Sequence, residues 1–146
     1  MDNIVLNERY RVERKLGAGG LGEVYLAQHY FDPGRSSLAR PVAVKILHAN
    51  ANEYARERFE HEKEALSRIR HPYVVGVLDA GVLADGRPWF VMEYVEGLTL
   101  REGMMRLKQV EPEARFGLAG RWVRQLGQAL SAAHAVGVIH RDLKPE

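Results

Sequence analysis

Two alternating apolar stretches separated by a run of glycines constrain this chain more than any other feature. Tyr10 to Leu16 puts Tyr10, Val12 and Leu16 on one side of an extended backbone, and Glu23-Val24-Tyr25-Leu26-Ala27 reads as a second strand. Between them lies Gly17-Ala18-Gly19-Gly20-Leu21-Gly22. Strand, glycine turn, strand is a hairpin, so the chain opens with antiparallel sheet. Glycines let backbone N–H groups approach an anion with no side chain in the way. Gly17-x-Gly19-x-x-Gly22 is therefore a candidate phosphate cradle, although on its own it also fits a plain glycine-rich turn. A dinucleotide-binding turn has the same spacing, but there the glycines open a helix and an acidic residue about 20 positions on holds the ribose. Here a strand follows, and that later position falls in Val42-Ala43-Val44-Lys45, which carries a cation.

The rest of the chain continues in two styles. His29 to Arg40, with Asp32-Pro33-Gly34 and Ser36-Ser37, reads as a surface loop. Pro41 to Leu47 is a third strand, with Val42, Val44 and Ile46 on one face and Ala43 and Lys45 on the other. Asn50 or Asn52 caps a helix that runs to about Arg70, its apolar stripe being Ala55, Phe59, Leu66 and Ile69. His71-Pro72 ends it. Tyr73 to Leu78 and Pro88 to Tyr94 are two more strands, joined by a turn at Asp85-Gly86, and Glu96-Gly97 reads as a joint. Beyond it the pattern is helical, over Leu98 to Leu107 and Pro112 to Val136. The longer helix shows Ala119, Trp122, Leu126, Ala129, Leu130 and Ala133 on its apolar face. The expected class is α+β: a five-stranded antiparallel sheet with one helix, followed by a helical part.

Composition removes several functions. The 21 Lys and Arg stand against 19 Asp and Glu, interspersed, for a net charge of +2. No basic block sits beside aromatics, so nucleic acid is not an expected partner. With no cysteine, thiol chemistry and thiolate metal sites are excluded. The first residues are not a signal peptide, and no apolar run approaches the ~18 residues of a membrane span. The expected location of this segment is cytoplasmic, free or as the cytosolic domain of a membrane-anchored protein. His29, His48, His61, His71 and His134 lack metal-ligand spacing and read as surface or packing residues.

Two charged residues stand out. Lys45 lies in a strongly apolar strand, where a lysine either snorkels at an edge or serves an anion. Glu62 lies on the apolar stripe of its helix, three after Phe59 and four before Leu66. A carboxylate there is costly unless paired, and Lys45 is its natural partner, while Glu60 and Glu64 fall off the stripe. A tolerated glutamate at the stripe's edge is the plainer alternative. The most specific element comes last: His140-Arg141-Asp142-Leu143-Lys144-Pro145-Glu146.

With these residues in order, the chain resembles a eukaryotic-type serine/threonine protein kinase from about Tyr10 to its last residue. Gly17 to Val24 matches the glycine-rich loop, Val42 to Lys45 the strand with the phosphate-gripping lysine, and His140-Arg141-Asp142 the catalytic loop. The wording Gly-Glu-Val-Tyr-Leu-Ala looks like the bacterial branch. The resemblance implies residues 1–9 as an N-terminal extension, 10–96 as the ATP-binding lobe with its hinge, and 97–146 as the start of the helical lobe, ending inside the catalytic loop.

It also implies roles. Gly17, Ala18, Gly19, Gly20, Leu21 and Gly22 would cover the ATP phosphates, Leu16 and Glu23 beside them would belong to the nucleotide site, and Val24 and Ala43 would roof the adenine. Met92 falls at the gatekeeper position, and the backbone of Glu93 and Val95 would bond the adenine edge. Lys45, held by Glu62, would grip the α- and β-phosphates, Asp142 would accept the substrate hydroxyl's proton, and Lys144 would neutralise the transferred phosphoryl group. Leu66, Val77 and His140 fall at hydrophobic-spine positions. In the family an asparagine and an Asp-Phe-Gly, both magnesium ligands, come after the position of Glu146. No metal ligand is therefore expected among these residues, although ATP and Mg2+ are the implied cofactors. The implied partner is a protein substrate. The 146 residues alone are expected to be inactive, with self-association through the long helix's apolar face. A non-catalytic nucleotide-binding or docking module, as in pseudokinases, is the alternative.

Overall fold

The computed structural model describes residues 4–31 and 39–145. Its chain divides into two units, Met1–Ser67 with Val75–Tyr94, and Arg68–Val74 with Val95–Glu146.

In the first unit the period-two stretches become strands β1 (Val5–Leu6), β2 (Tyr10–Ala18), β3 (Gly22–Tyr30), β4 (Ala39–Leu47), β5 (Val77–Val82) and β6 (Pro88–Glu93), with helix α1 (Glu53–Arg68) between β4 and β5. They form one antiparallel sheet in the order β1-β2-β3-β4-β6-β5. The expected five strands become six because Val5 and Leu6 pair with Arg11 and Tyr10. Two residues are too few for alternation to register. The connecting turn puts Asn7 at φ 47° and Glu8 at φ 58°, and Arg9 N–H closes it on the Leu6 carbonyl at 3.0 Å, the positive-φ pairing that tight hairpins favour.

Three other expectations shift. Leu16 does not share the buried face of Tyr10 and Val12, because irregularities between Val12 and Arg14 and between Lys15 and Gly17 move the register, and Leu16 is exposed. The strand expected from Tyr73 begins at Val77. Residues 71–74 instead spend their hydrogen bonds in a turn, Val74 N–H on the His71 carbonyl and Tyr73 N–H on His71 Nδ1. The loop expected over His29 to Arg40 is shorter, since His29 pairs with Arg40 and Tyr30 with Ala39. Its centre, 32–38, lies outside the described residues. For α1 the cap is Asn52, whose side chain accepts from Ala55 N–H at 2.9 Å.

The sheet curls. Tyr10 on β2 donates its hydroxyl hydrogen to Asp79 Oδ2 on β5 at 3.0 Å, although those strands are not neighbours in the sheet. Inside the curl lie Tyr10, Val12, Tyr25, Ala27, Val42, Val44, Ile46, Trp89 and Val91. A second cluster, Leu47, Phe59 and Phe90, fixes α1, with Leu21, Leu66, Val77 and Met92 packed on it. Fully burying each such aromatic ring is worth about 1.5–3 kcal/mol. Arg56 adds a hydrogen bond from α1 to the Gly86 carbonyl at 3.0 Å.

The second unit holds α2 (Leu100–Leu107) and α3 (Pro112–Ala135). Thr99 and Glu102 form a reciprocal capping box at the start of α2. Gly103 packs against the Trp122 ring so closely that a Cβ would sit 3.0 Å from it. Arg115 fastens the connection by donating to the Lys108 and Val110 carbonyls. Past α3, Gly137 at φ 77° lets Gly137 N–H reach the His134 carbonyl and Val138 N–H the Ala133 carbonyl, which closes the helix end and turns the chain toward His140.

Candidate active site

Sheet register decides which side chains meet. Val24, Lys45 and Phe90 are cross-strand partners, and so are Leu26, Ala43 and Met92. Paired residues share a face, and residues two apart share it again. One face of β3, β4 and β6 thus carries Val24, Leu26, Ala43, Lys45, Phe90 and Met92. It is the face opposite the curl's core, where Tyr25, Val42, Val44 and Val91 point.

On this face Lys45 meets α1. Its Nζ stands 2.6 Å from both Oε1 and Oε2 of Glu62, with the lysine side chain 15% exposed and the carboxylate 34%. Glu62 is thus paired with Lys45, as expected from its place on the stripe. The stripe position of Glu62 faces inward because Phe59, one turn before it, is fully buried. By contrast Glu60 pairs with Lys63 on its own helix, and Glu64 is exposed.

The glycine-rich tip closes over the same region. A cavity of about 460 Å³ is lined by Gly20, Leu21, Lys45, Tyr54, Ala55 and Arg58. The tip's glycines are of two kinds. At Gly22 an added Cβ would lie 2.3 Å from the Ile46 carbonyl oxygen, so β3 and β4 approach too closely for any side chain. At Gly17, Gly19 and Gly20 an added Cβ would meet nothing within 4 Å, and none of them has positive φ. Neither packing nor positive φ accounts for those three; Gly19 N–H is taken by the Gly22 carbonyl at 2.9 Å, and the absence of side chains leaves the tip's backbone open to close approach by a ligand.

The hairpin stem is stiffened by charge. Lys15 pairs with Glu23, and Tyr25 O–H donates to Glu23 Oε2 at 2.6 Å. The Lys15 hydrogen bond, then that of Tyr25, holds the Glu23 carboxyl below its usual range, while burial, helped by Glu23, pushes the Tyr25 phenol up to about 12. His48, expected to be a surface or packing residue, is half-buried, and its Nε2 lies 2.8 Å from the Gly19 carbonyl oxygen. The only sequence signal was its place one residue past the end of β4.

The first unit therefore gathers Leu16 to Val24, Ala43, Lys45, Glu62 and Met92, with Glu93 following at the end of β6, its N–H on the Gly76 carbonyl. Leu66, Val77 and Met92 pack on one cluster. Val95, His140, Asp142 and Lys144 belong to the second unit. There Arg141 has φ 61°, and Asp142 N–H donates to the His140 carbonyl at 2.8 Å across it. That is a γ-turn with positive central φ, a rare and strained form, and such strain gathers at functional sites. Asp142 is exposed, with Lys144 Nζ 3.4 Å from its Oδ2. The Pro145 carbonyl accepts from Arg101 N–H at 2.8 Å, so the first turn of α2 anchors the segment after Asp142. Among the described residues no three Asp, Glu or His side chains gather as a metal site.

Comparison with known proteins defines the class first. The fold matches the solved kinase domain of Mycobacterium tuberculosis PknI at a TM-score of 0.70 and 33% identity, over 99% of this chain and 55% of that one. The sequence profile of the protein kinase domain matches residues 10–146, and the chain belongs to the protein kinase family. It is similar to the serine/threonine-protein kinases pkn2 of Myxococcus xanthus (42% identical, 99% of this chain), PrkC of Bacillus subtilis (36%, 96%) and PknL of Mycobacterium bovis (36%, 100%). It spans 16%, 20% and 34% of their lengths. The resemblance to bacterial serine/threonine kinases is thereby established, and the chain corresponds to the first part of the kinase domain.

Proposed function

We propose that this segment binds ATP and forms the nucleotide-gripping lobe and catalytic loop of a serine/threonine protein kinase acting on protein hydroxyls. The carrying observation is the Lys45–Glu62 pair, 2.6 Å to both carboxylate oxygens. It lies on the same sheet face as Val24, Ala43 and Met92 and beside a cavity under the glycine tip. Glu62 fixes the ammonium and leaves it one face for phosphate, while the side-chain-free tip lets a phosphate approach its backbone closely. The apolar side chains of that face suit a purine ring, and the Glu93 and Val95 backbone would bond its edge. Asp142 would accept the hydrogen bond of the substrate hydroxyl and orient it, and Lys144 would offset charge on the phosphoryl group in flight. Lys144 beside the aspartate supports serine and threonine as acceptors.

Residues 10–96 would thus be the ATP-binding lobe and 97–146 the opening of the helical lobe. The donor set fits a nucleotide, and among the described residues no three carboxylate or imidazole side chains gather. Magnesium, when bound, neutralises charge between the phosphates. These 146 residues alone would accordingly show no substantial phosphoryl transfer. In the second unit Phe116, Val123, Leu126, Ile139 and Leu143 are exposed, which supports self-association of the isolated segment. Light scattering showing only monomer would refute that. No helix among the described residues is long and apolar enough to cross a membrane.

The test has two arms. Titration calorimetry should show ATP binding to the 146-residue chain and its loss in Lys45→Met. Radiolabelled transfer to a protein substrate by the whole parent protein should vanish in Asp142→Asn. Absence of ATP binding to the unaltered chain would overturn the reading. Binding without transfer by the whole protein would favour the non-catalytic module.

A further inference from the structure

Resting on that nucleotide-binding reading, we infer that His48 is a positioning residue for the glycine tip: its imidazole latches the Gly19 carbonyl and thereby slows the release of a bound nucleotide. The β3–β4 ladder ends formally at Gly22 opposite Leu47. One residue further, His48 N–H still donates to the Leu21 carbonyl at 3.2 Å. The His48 ring then reaches past that bond to Gly19, with Nε2 at 2.8 Å from the carbonyl oxygen. A carbonyl only accepts, so Nε2 carries the hydrogen. Both the imidazolium and the neutral tautomer protonated at Nε2 make this bond.

The latch matters because the crest of the tip has little else to rest on. Gly19 N–H is committed to the Gly22 carbonyl at 2.9 Å, which only folds the tip on itself. Around Gly17, Gly19 and Gly20 no atom stands within 4 Å of where a side chain would begin. The base of the hairpin is held by the ladder and its Leu21 side by packing on Leu47, Phe59 and Phe90, whereas the Gly19 crest is tied to β4 by the imidazole three residues beyond Lys45. A nucleotide whose phosphates lie between Lys45 and the crest leaves by lifting the crest, which means breaking the bond to His48. An ordinary hydrogen bond is worth roughly a two- to tenfold change in an equilibrium or rate.

The experiment is stopped-flow release of a fluorescent ATP analogue, and of the matching adenosine analogue, from the 146-residue chain. His48→Ala and His48→Phe should speed ATP-analogue release about three- to tenfold. His48→Gln, whose amide N–H extends to the Nε2 position, should restore most of the loss. Release of the adenosine analogue, which has no phosphates under the crest, should stay unchanged. A packing role alone would show Phe rescuing better than Gln. That result, equal acceleration for both probes, or unchanged release in His48→Ala overturns the inference while leaving nucleotide binding intact. Failure of the unaltered chain to bind the ATP analogue at all would instead overturn the functional reading on which it rests.

Discussion

Gly22→Ala and Gly20→Ala are the same chemical change two residues apart, and they should have opposite consequences. At Gly22 the new methyl carbon would begin 2.3 Å from the Ile46 carbonyl oxygen, 3.0 Å from its carbon and 3.3 Å from Leu47 Cα. All three are backbone atoms at the last pair of the β3–β4 ladder, so no side chain can swing aside. Relief requires β3 and β4 to part by about an ångström next to the Gly22–Leu47 pair, where Leu47 is buried against Phe59 and Phe90. Overpacking of a core costs about 1–3 kcal/mol, and a clash with backbone belongs at the upper end. Removing a glycine from the unfolded chain returns about 0.4–1 kcal/mol. The net loss is about 2 kcal/mol, or a midpoint lowered by roughly 8–16 °C for a unit of this size. At Gly20 the methyl meets no atom within 4 Å and φ is not positive. Only the unfolded-state gain remains, and stability should hold or rise slightly. Yet Gly20 lines the cavity beside Lys45, so ATP affinity should fall about tenfold. Thermal unfolding by circular dichroism and nucleotide titration separate the two effects. Equal destabilisation by both variants, or a Gly22→Ala protein as stable as its parent, would refute the reasoning.

Tyr10→Phe should cost about 1–2 kcal/mol in urea denaturation, since it strands Asp79 without the hydroxyl that closes the curl. Burial first, then Asp79, pushes the Tyr10 phenol up to about 12, and burial does the same for Tyr25. Both folded values lie above the ordinary 10.0, so the unfolded chain releases these protons first; their contribution is whole below about pH 10 and is lost as pH rises toward about 12. An alkaline titration of stability should show this limb, and Tyr10→Phe combined with Tyr25→Phe should flatten it. Thr99→Ala should cost about 1 kcal/mol and fray α2 in hydrogen exchange. The Thr99 backbone N–H, then its hydroxyl, holds the Glu102 carboxyl below its usual range, so the cap's contribution is present above the ordinary glutamate range and lost as pH falls through the lowered value. Hydrogen exchange of α2 that is insensitive to acid would contradict it. Arg141→Gly should stabilise the second unit by about 1 kcal/mol by removing a side chain from positive φ, while reducing turnover of the whole protein; a loss of stability instead would show that Arg141 is not strained.

The sequence made the sheet's interior and the ion pair legible for a common reason. Period-two burial assigned Val42, Val44 and Ile46 to one face, and by exclusion assigned Lys45 to the other. A helix-period stripe pointed Glu62 inward through Phe59. Each inference used only the local geometry of one element, and the meeting of the two residues followed from the cost of leaving either charge unpaired. What escaped depends on register between elements. Leu16 left the buried face because of two bulge-like shifts that no alternation reveals. Strand β1 is two residues long and exists because Asn7 and Glu8 adopt positive φ.

The segment around Asp142 shows the same division from the other side. Its motif was readable in the sequence, but how its backbone is held was not. Arg141 carries no mark in one-letter sequence of a φ of 61°, and arginine is a poor residue for it. A strained turn persists only where its surroundings over-determine it. Here those surroundings are the glycine-terminated end of α3 on one side and the Arg101–Pro145 bond on the other. The Thr99 capping box sits two residues before Arg101 and fixes the first turn of α2. A residue with no part in any motif thus contributes to how the backbone around Asp142 is held, through a path that only the folded backbone displays.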